Sequence, residues 1–322
     1  MKKYVKVGLI TAGILFVVGC LLVVISVIAG GHQLATIIRE DEALIEKVGT
    51  FVDKAADAAY KITDGEWGYV WEDGNSDELV VNKNIVAGQE NWYQVSAKDV
   101  TGLYLELGAG SFTIEEKATS DDNIDIAIEG IGSCNYFVKN GILHIEGFKG
   151  INVIGNDINL NNITLRLPKG HMLEQIDTEV GAGLMTITGL KVKGLDAEIG
   201  AGELKLEKIE AEELLMEIGA GRLEASEMAV TDAEITVSMG ECVYKGSIGG
   251  NLDAECDMGN IDLKIDGKET DHNYQVECAA GNIAIGGFSF SALAAERNVD
   301  NNAASDFDIE CNMGNISIRF TE

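Results

Sequence analysis

Hydrophobic and polar residues alternate on both sides of a short glycine-containing triplet that recurs along the chain. Apolar residues stand three and five positions before the last residue of the triplet, and two and four positions after it. This alternation is typical of strands with one buried side. The triplet's last residue recurs with a constant spacing of 19, and weaker copies end at Gly110, Gly281 and Gly314. The regular copies end at Gly183, Gly202, Gly221, Gly240 and Gly259.

A fixed repeat near twenty residues predicts a solenoid in which each repeat forms one coil. We therefore expect an all-β fold, a parallel β-helix (β-solenoid) with about 19 residues per coil. The corner favours glycine because a sharp bend needs backbone angles that a side chain obstructs. Ala or Met in the middle of the triplet predicts a small corner pocket, filled more fully in the C-terminal coils.

Two irregular gaps interrupt the repeat. The gap from Gly110 to Gly183 is close to four periods long, so we expect further coils there as well. The gap from Gly281 to Gly314 is longer than one period and shorter than two, which predicts an inserted loop around 288–302. That loop is a candidate binding feature, because insertions in solenoids emerge on one face.

The N-terminal region predicts a membrane anchor. Lys2, Lys3 and Lys6 precede an uncharged, largely apolar run at 7–30. As a helix this run spans about 36 Å, enough to cross a hydrocarbon core of roughly 30 Å. We read it as an uncleaved signal anchor, with cleavage after Ala29 as the alternative. The positive-inside rule predicts a single-pass protein of the cell membrane, with a cytoplasmic N-terminus and an extracytoplasmic C-terminal domain.

This pattern divides the chain into three parts. Residues 1–31 form the cytoplasmic N-terminus and transmembrane signal anchor. Residues 32–63 form a juxtamembrane helix or stalk, because apolar residues recur there at steps of three and four. Either a coiled-coil dimer or a single packed helix fits this spacing of apolar residues. Residues 64–322 form the β-solenoid, with 64–100 as an N-terminal cap that holds all three tryptophans.

Composition narrows the range of partners. The formal net charge of −29 disfavours binding to nucleic acid.

Three of the six cysteines, Cys256, Cys278 and Cys311, share one inward column, and Cys242 belongs to another. They could form a disulfide ladder or a metal site, but no CxxC spacing occurs, so the sequence favours small buried apolar residues.

One polar column is unusual, four residues before the last glycine of each triplet. Seven of its eight members are glutamate, and stacked carboxylates need water, lysines or shared cations nearby. One hypothesis is a Ca²⁺-binding ladder; the alternative is a solvated acidic stripe that hinders aggregation and binds no cofactor. The column contains Glu106, Glu179, Glu198, Glu217, Thr236, Glu255, Glu277 and Glu310.

Catalytic signatures are missing, which predicts a protein that is not an enzyme. No phosphate loop, nucleotide fingerprint or HExxH occurs. The four histidines are scattered, and none neighbours a Ser or Cys nucleophile in the repeat register. A polysaccharide-cleaving β-helix is the enzymatic alternative, although the glutamate column has no matching column of Arg or Lys, since Arg222 is alone among its equivalents.

With the repeats aligned, residues 98 to 322 resemble a bacterial β-strand-repeat family of adhesin-like proteins of unknown function. The motifs that carry the resemblance are Leu105–Gly110, the later Gly-Ala-Gly corners, Ser238–Glu241, Asp257–Asn260, Asn273-Tyr274 and Asn312–Ile316. The resemblance implies a β-solenoid at the bacterial surface, linked in some members to envelope stress, and it transfers no catalytic or binding residue.

The sequence therefore predicts a membrane-anchored surface protein that binds rather than catalyses. Expected partners are the lipid bilayer, through the transmembrane helix, and cationic peptides, cell-wall polymer or a membrane partner protein. A regulatory partner of a membrane stress sensor is the remaining alternative.

Overall fold

The computed structural model describes residues 91–108, 110–119, 121–129, 134–147, 152–154, 157–159, 162–290 and 295–321. The predicted anchor at 1–31, the predicted helix at 32–63 and most of the predicted cap at 64–100 lie outside these residues. Within the described ranges, no helix has the length and apolar character needed to cross a membrane. The described chain is built almost entirely of strands, which confirms the predicted all-β class.

The strands follow one another along the chain with short connections. In chain order they are β1 (Asn91–Ser96), β2 (Gly102–Leu107), β3 (Ser111–Glu116), β4 (Asn123–Glu129), β5 (Cys134–Lys139), β6 (Ile142–Gly147), β7 (Asn152–Ile154), β8 (Asp157–Asn159), β9 (Asn162–Leu167), β10 (Met172–Val180), β11 (Leu184–Thr188), β12 (Lys191–Ile199), β13 (Glu203–Glu207), β14 (Glu210–Ile218), β15 (Arg222–Val237), β16 (Glu241–Ile248), β17 (Leu252–Cys256), β18 (Asn260–Asp266), β19 (His272–Cys278), β20 (Asn282–Ile285), β21 (Phe288–Phe290), β22 (Ala295–Val299), β23 (Ser305–Cys311) and β24 (Asn315–Thr321).

Every strand except β7 and β8 belongs to one hydrogen-bonded sheet that folds over at the corner triplets. We call the strands before each triplet the pre-corner face and those after it the post-corner face. The pre-corner order is β5–β6–β2–β10–β12–β14–β15–β17–β23–β19–β22, and the post-corner order is β1–β4–β9–β3–β11–β13–β15–β16–β18–β24–β20–β21. The long strand β15 belongs to both faces because it runs through a whole turn of the coil.

The central coils stack in parallel with residues of one column directly opposite each other. Ile199 pairs with Ile218, and Ile218 pairs with Val237, so each step of the stack advances by one period of the sequence repeat. None of the three is more than 2% exposed. Inward residues of both faces, among them Leu195 before the corner and Leu204 after it, join one continuous core. The predicted stacking of aliphatic columns is therefore confirmed, and the fold is solenoid-like.

The corner glycines are required by close stacking rather than by unusual backbone angles. Of the glycines that end the triplets, only Gly110 has a positive φ within the described residues, at 110°. A Cβ added to Gly314 would lie 2.7 Å from the carbonyl oxygen of Gly259, and one added to Gly281 would lie 2.6 Å from that of Gly314. Successive corners thus approach too closely for any side chain, so the bend-angle explanation is wrong for most coils.

The middle residue of the triplet points outward, which corrects the predicted corner pocket. Met258 and Met313 are 55% and 63% exposed. Ala201 and Ala220, at equivalent positions, are exposed as well. No side chain from the middle of these triplets fills the corner.

The C-terminal coils do not stack in chain order. β23 lies between β17 and β19, and β24 lies between β18 and β20. The last coil is therefore inserted between the two coils that precede it in sequence. The predicted loop at 288–302 contains strands β21 and β22, which pair antiparallel to β20 and β19 at this end.

The N-terminal gap is also filled differently from the prediction. β2 pairs directly with β10, so the coil that ends at Gly110 is the immediate neighbour of the coil that ends at Gly183. No further coil lies between these two in the described stack. Instead β6 and β9 pair on the other side of β2 and β3, and β5, β4 and β1 add antiparallel strands beyond them. Antiparallel strands thus cap the stack at both ends.

Candidate functional site

The predicted glutamate column is continuous and longer than the sequence indicated. Parallel pairing carries it from β6 to β19, and antiparallel pairing extends it to β22. Glu146 and Glu296 are new members, missed because neither strand precedes a glycine triplet. We call this set the acidic column. In spatial order it contains Glu146, Glu106, Glu179, Glu198, Glu217, Thr236, Glu255, Glu310, Glu277 and Glu296.

A second polar column runs beside it on the same face, two residues earlier in each strand. It is interrupted by Leu215, and its N-terminal member Tyr104 donates a hydrogen bond to Glu179 Oε1 at 3.2 Å. In spatial order the second column contains His144, Tyr104, Asp177, Asp196, Leu215, Glu234, Asp253, Asp308, Gln275 and Asn298.

Neither column contains a lysine or arginine among the residues that the structure describes. Neighbouring parallel strands lie about 4.8 Å apart. Two carboxylates at that distance repel by about 0.9 kcal/mol in water and by about 3.5 kcal/mol at an effective dielectric near 20. The two columns therefore place many carboxylates side by side on the pre-corner face, which we call the acidic face.

Burial and then charge repulsion raise the pKa of four carboxyl groups in these columns. The pKa of Glu198 is raised to about 7, first because its packed neighbours remove water from the carboxylate and then because Glu179 and Glu217 repel its charge. The side chain itself still reaches solvent. Desolvation, followed by the charge of Asp177, also raises the pKa of Asp196. Near neutral pH, ionisation of these two carboxyl groups therefore costs more free energy in the folded protein than in water.

The same two causes act further along the stack. Desolvation and then Asp308 raise the pKa of Asp253, and desolvation and then Asp257 raise that of Glu255. A cation placed on this face would relieve the repulsion in both places, since an opposite charge favours the ionised carboxylate.

The post-corner face arranges its charges differently. Its arginines form ion pairs with carboxylates on the next coil: Arg166 Nε lies 2.7 Å from Glu115 Oε1, and Arg319 binds both oxygens of Asp262 at 2.6 and 2.7 Å. Arg222 pairs with Glu241 in the same way, although the sequence showed it without equivalents in its column. The pre-corner face also has ion pairs, Lys193 with Glu174 and Lys191 with Glu210, but these lie outside its two carboxylate columns.

A groove of about 480 Å³ lies within the acidic face, where β14, β15, β17 and β23 run side by side. Leu215, which is partly exposed, contributes apolar surface to it, above the buried side chains of Leu214 and Leu252. The groove thus combines negative charge with an apolar lining. Its carboxylates are Glu213, Asp232, Glu234, Asp253, Asp306 and Asp308.

The structure brings the glutamates of the predicted cation ladder into two rows. Glu179, Glu198 and Glu217 stand in one row, as do Glu255, Glu310 and Glu277. However, the described residues contain no group of three or more His, Cys, Asp or Glu side chains arranged to hold a metal ion. A row along a flat sheet spreads its oxygens instead of surrounding one point, whereas Ca²⁺ takes six to eight oxygen ligands.

The inward cysteines are free and buried at Cys242, Cys256, Cys278 and Cys311. Burial raises the pKa of Cys311 to about 11 and also raises that of Cys256. The thiols of Cys256 and Cys311 therefore stay protonated at neutral pH. Burial of all four side chains is in line with the prediction that they act as apolar core residues.

One histidine does neighbour a serine, contrary to the sequence analysis. His272 pairs with Ser305 because the last coil is inserted out of order, and Nδ1 lies 2.8 Å from Oγ. Both residues are about 5% exposed, Ser305 Oγ also contacts the carbonyl oxygen of Gly250, and the imidazole stacks on Phe307. A buried serine that donates its proton to a carbonyl is a structural contact rather than a nucleophile with its base.

The chain is similar to several solved structures and to one family model. A candidate adhesin from Bacteroides fragilis is 15% identical, over 72% of this chain and 98% of that one, with a TM-score of 0.43. A candidate lipid binding protein from Parabacteroides distasonis is 15% identical, over 73% and 98% of the two chains, with a TM-score of 0.40. No curated protein sequence matches significantly. The family model described as Toastrack DUF4097 matches residues 104–287, more than half of the chain, in agreement with the resemblance noted from the repeats. The chain therefore belongs to the Toastrack DUF4097 family.

Proposed function

We propose that this chain is a non-catalytic binding protein of the cell membrane, which displays its acidic face outside the cell and captures cationic partners there. The observation that carries the proposal is the pair of adjacent columns rich in carboxylates and without lysine or arginine in the described residues. Repulsion within the columns is relieved when a cationic partner binds, so binding and relief of repulsion are coupled.

The acidic groove favours one class of cationic partner. Its carboxylates suit lysine and arginine side chains, and Leu215 offers an apolar contact between them. A peptide with both cationic and apolar residues matches this lining better than a small inorganic cation. We therefore infer cationic amphipathic peptides as ligands, ahead of cell-wall polymer or a membrane partner protein.

Placement in the membrane rests on the sequence. The apolar run at 7–30 and the lysines before it support an anchor with the acidic domain on the outer side. In that position a net charge of −29 would attract cationic peptides before they reach the bilayer.

A charge-neutralisation experiment tests the proposal on the full-length protein in non-ionic detergent. The probe is a fluorescent deca-lysine peptide followed by anisotropy. One variant combines Glu217→Gln, Glu234→Gln and Glu255→Gln on the acidic face. The matched control combines Glu203→Gln, Glu224→Gln and Glu241→Gln on the post-corner face, which removes the same amount of charge.

We expect the acidic-face variant to bind about fivefold more weakly or worse, and the control to change by less than about twofold. Raising NaCl from about 50 to about 500 mM should weaken wild-type binding strongly, because salt screens exposed charges. Equal weakening in both variants would mean that only net charge matters, and affinity that does not depend on salt would reject the electrostatic mode.

A further inference from the structure

Three methionines form a ladder on the outside of the corner. Met239, Met258 and Met313 occupy the middle of the triplet in three consecutive coils of the stack. Met258 N donates to the carbonyl oxygen of Ser238 at 2.8 Å, and Met313 N donates to that of Asp257 at 2.6 Å. These bonds hold the three Cα atoms in a row at the spacing of neighbouring strands, about 4.8 Å. We call this row the methionine ladder.

The fold does not require methionine at these positions. Ala201, Ala220 and Ala280 form the same corner with the same hydrogen bonding. Methionine is usually buried, yet Met258 and Met313 are more than half exposed and Met239 is partly exposed. The ladder thus brings three thioethers to the surface, in consecutive coils, where alanine would serve the backbone equally well.

Thioether sulfur is a soft, neutral metal ligand that selects Cu⁺ over hard divalent cations. A metal–sulfur bond is about 2.3 Å, as for zinc thiolates, so two sulfurs that share one ion lie about 4 to 4.6 Å apart. That separation is close to the strand spacing. The flexible methionine side chain can supply the remaining adjustment, since it has three rotatable bonds.

We propose that Met239, Met258 and Met313 form a surface site for a soft monovalent cation, with Cu⁺ as the physiological ion and Ag⁺ as its stable analogue. Met258 is the central ligand, because it neighbours both of the others. Asp257 stands beside it and accepts a hydrogen bond from Asn312 Nδ2 at 2.9 Å. Its carboxylate, together with the large negative charge of the chain, attracts a cation to this corner. The site is separate from the acidic columns and does not depend on peptide binding.

The chain contains an internal control for the proposal. Met172 is also exposed, at 59%, but its register partner on the next coil is Lys191 rather than another methionine. A lone thioether beside an ammonium group lacks both a second sulfur and a favourable charge. Ag⁺ should therefore distinguish Met258 from Met172 although both are exposed to the same solution.

The test uses the full-length protein in non-ionic detergent, labelled with ¹³C at the methionine methyl groups. Cys20 and Cys134 are replaced by serine in every sample, because thiols also bind soft ions. Silver nitrate is titrated in chloride-free buffer while the methyl resonances are recorded, and Cu⁺ follows under anaerobic conditions. Ca²⁺ and Zn²⁺ serve as harder ions. Met258→Leu removes the central sulfur at similar volume, and Met172→Leu is the matched control.

We expect the methyl signals of all three ladder residues to shift together and to saturate near one equivalent of Ag⁺, with Met172 unchanged. Met258→Leu should weaken Ag⁺ binding about tenfold or more, and Met172→Leu should leave it unaltered. Similar shifts at Met172 and Met258, or unchanged affinity in Met258→Leu, would overturn the site. Absence of any shift would do the same, and would leave the ladder as an apolar contact surface for a protein.

Discussion

Cys256 and Cys311 lie side by side in the core although a complete intervening coil separates them in the chain, since β23 inserts next to β17. Cys278, which comes earlier in the sequence than Cys311, lies on the far side of it. The final coil is thus enclosed between two coils that precede it in sequence. Its removal would leave each neighbouring coil without a partner on one side, so we expect this end of the stack to depend on close packing of the last coil.

Gly314 provides a direct test of that packing. A Cβ at this position would meet Cys256 Sγ and lie 2.7 Å from the carbonyl oxygen of Gly259. Because the obstacles include backbone, we expect Gly314→Ala to reduce the free energy of unfolding by about 1 to 3 kcal/mol. The measurement is the midpoint of guanidinium unfolding, followed by circular dichroism.

Gly287→Ala is the control for Gly314→Ala, because a Cβ at Gly287 meets nothing within 4 Å. It should leave the midpoint unchanged or raise it slightly, since alanine restricts the unfolded chain. Equal destabilisation by both substitutions would show that the close approach at Gly314 is not the cause.

Burial of the core cysteines predicts their reactivity. The thiols of Cys242, Cys256, Cys278 and Cys311 are buried, and burial raises the pKa of Cys311 to about 11. We expect iodoacetamide to modify them about a hundredfold more slowly in the native protein than in guanidinium at about pH 8, because only an accessible thiolate reacts. Mass spectrometry of each cysteine peptide gives the rates. Rapid native labelling of Cys311 would contradict the enclosed position of the last coil.

The columns of the stack could be predicted from sequence, whereas the order of its coils could not. Alternation fixes which side chains face inward, because a slip of one residue would expose Ile199 and its equivalents. However, Cys256, Cys278 and Cys311 sit in nearly identical contexts, so any of the three coils fits beside any other. The sequence alone suggests that coils stack in the order in which they occur along the chain. The structure departs from that order at the C-terminal end, where the coils have similar corner sequences.

The additional members of the acidic column were hidden for a related reason. Glu146 and Glu296 lie on strands that pair with the repeats without being repeats themselves. Only the pairing of these strands in the folded structure places Glu146 and Glu296 in register with the column. The His272–Ser305 contact is likewise a product of coil order, and no local pattern around His272 indicates it.

Crowding of carboxylates predicts how stability changes with pH. The pKa of Glu198 is about 7 in the folded protein against an ordinary value of 4.5. A raised pKa contributes stability that is fully present below about 4.5 and is lost as the pH rises through about 7. We therefore expect Glu198→Gln to be more stable than the wild type at about pH 8, and the difference to disappear near pH 4.5.

The measurement for Glu198→Gln is the unfolding midpoint at several pH values in this range. Glu203→Gln is the control on the post-corner face, where the carboxylate lies 3.3 Å from Lys205 Nζ. It should lose a little stability at neutral pH, because a surface ion pair contributes less than about 1 kcal/mol. If the wild type is as stable as Glu198→Gln at pH 8, solvent hydrates the Glu198 carboxylate well enough that its ionisation does not destabilise the folded protein.

His272 has the opposite effect on pH dependence. Burial lowers its pKa below the ordinary 6.5 and outweighs the neighbouring charge of Asp271. Because the unfolded state binds the proton more readily, stability is present above about pH 6.5 and is lost as the pH falls through the folded pKa. The test uses a Glu198→Gln background, which removes one opposing contribution. There, the denaturant concentration at the unfolding midpoint should decrease as the pH is lowered from about 7.5 to 5.5.

Replacement of His272 by glutamine isolates this contribution. Glutamine can still donate to Ser305 Oγ but does not titrate, so His272→Gln should lose some stability at pH 7.5 and show a flatter fall towards pH 5.5. His171→Gln, at a partly buried position where Nε2 contacts the carbonyl oxygen of Val100 at 3.0 Å, is measured beside it as a histidine replacement outside the inserted coil. If His272→Gln retains the parent slope, protonation inside the inserted coil is not what weakens the protein in acid, and the carboxylates of the acidic face become the groups to test next.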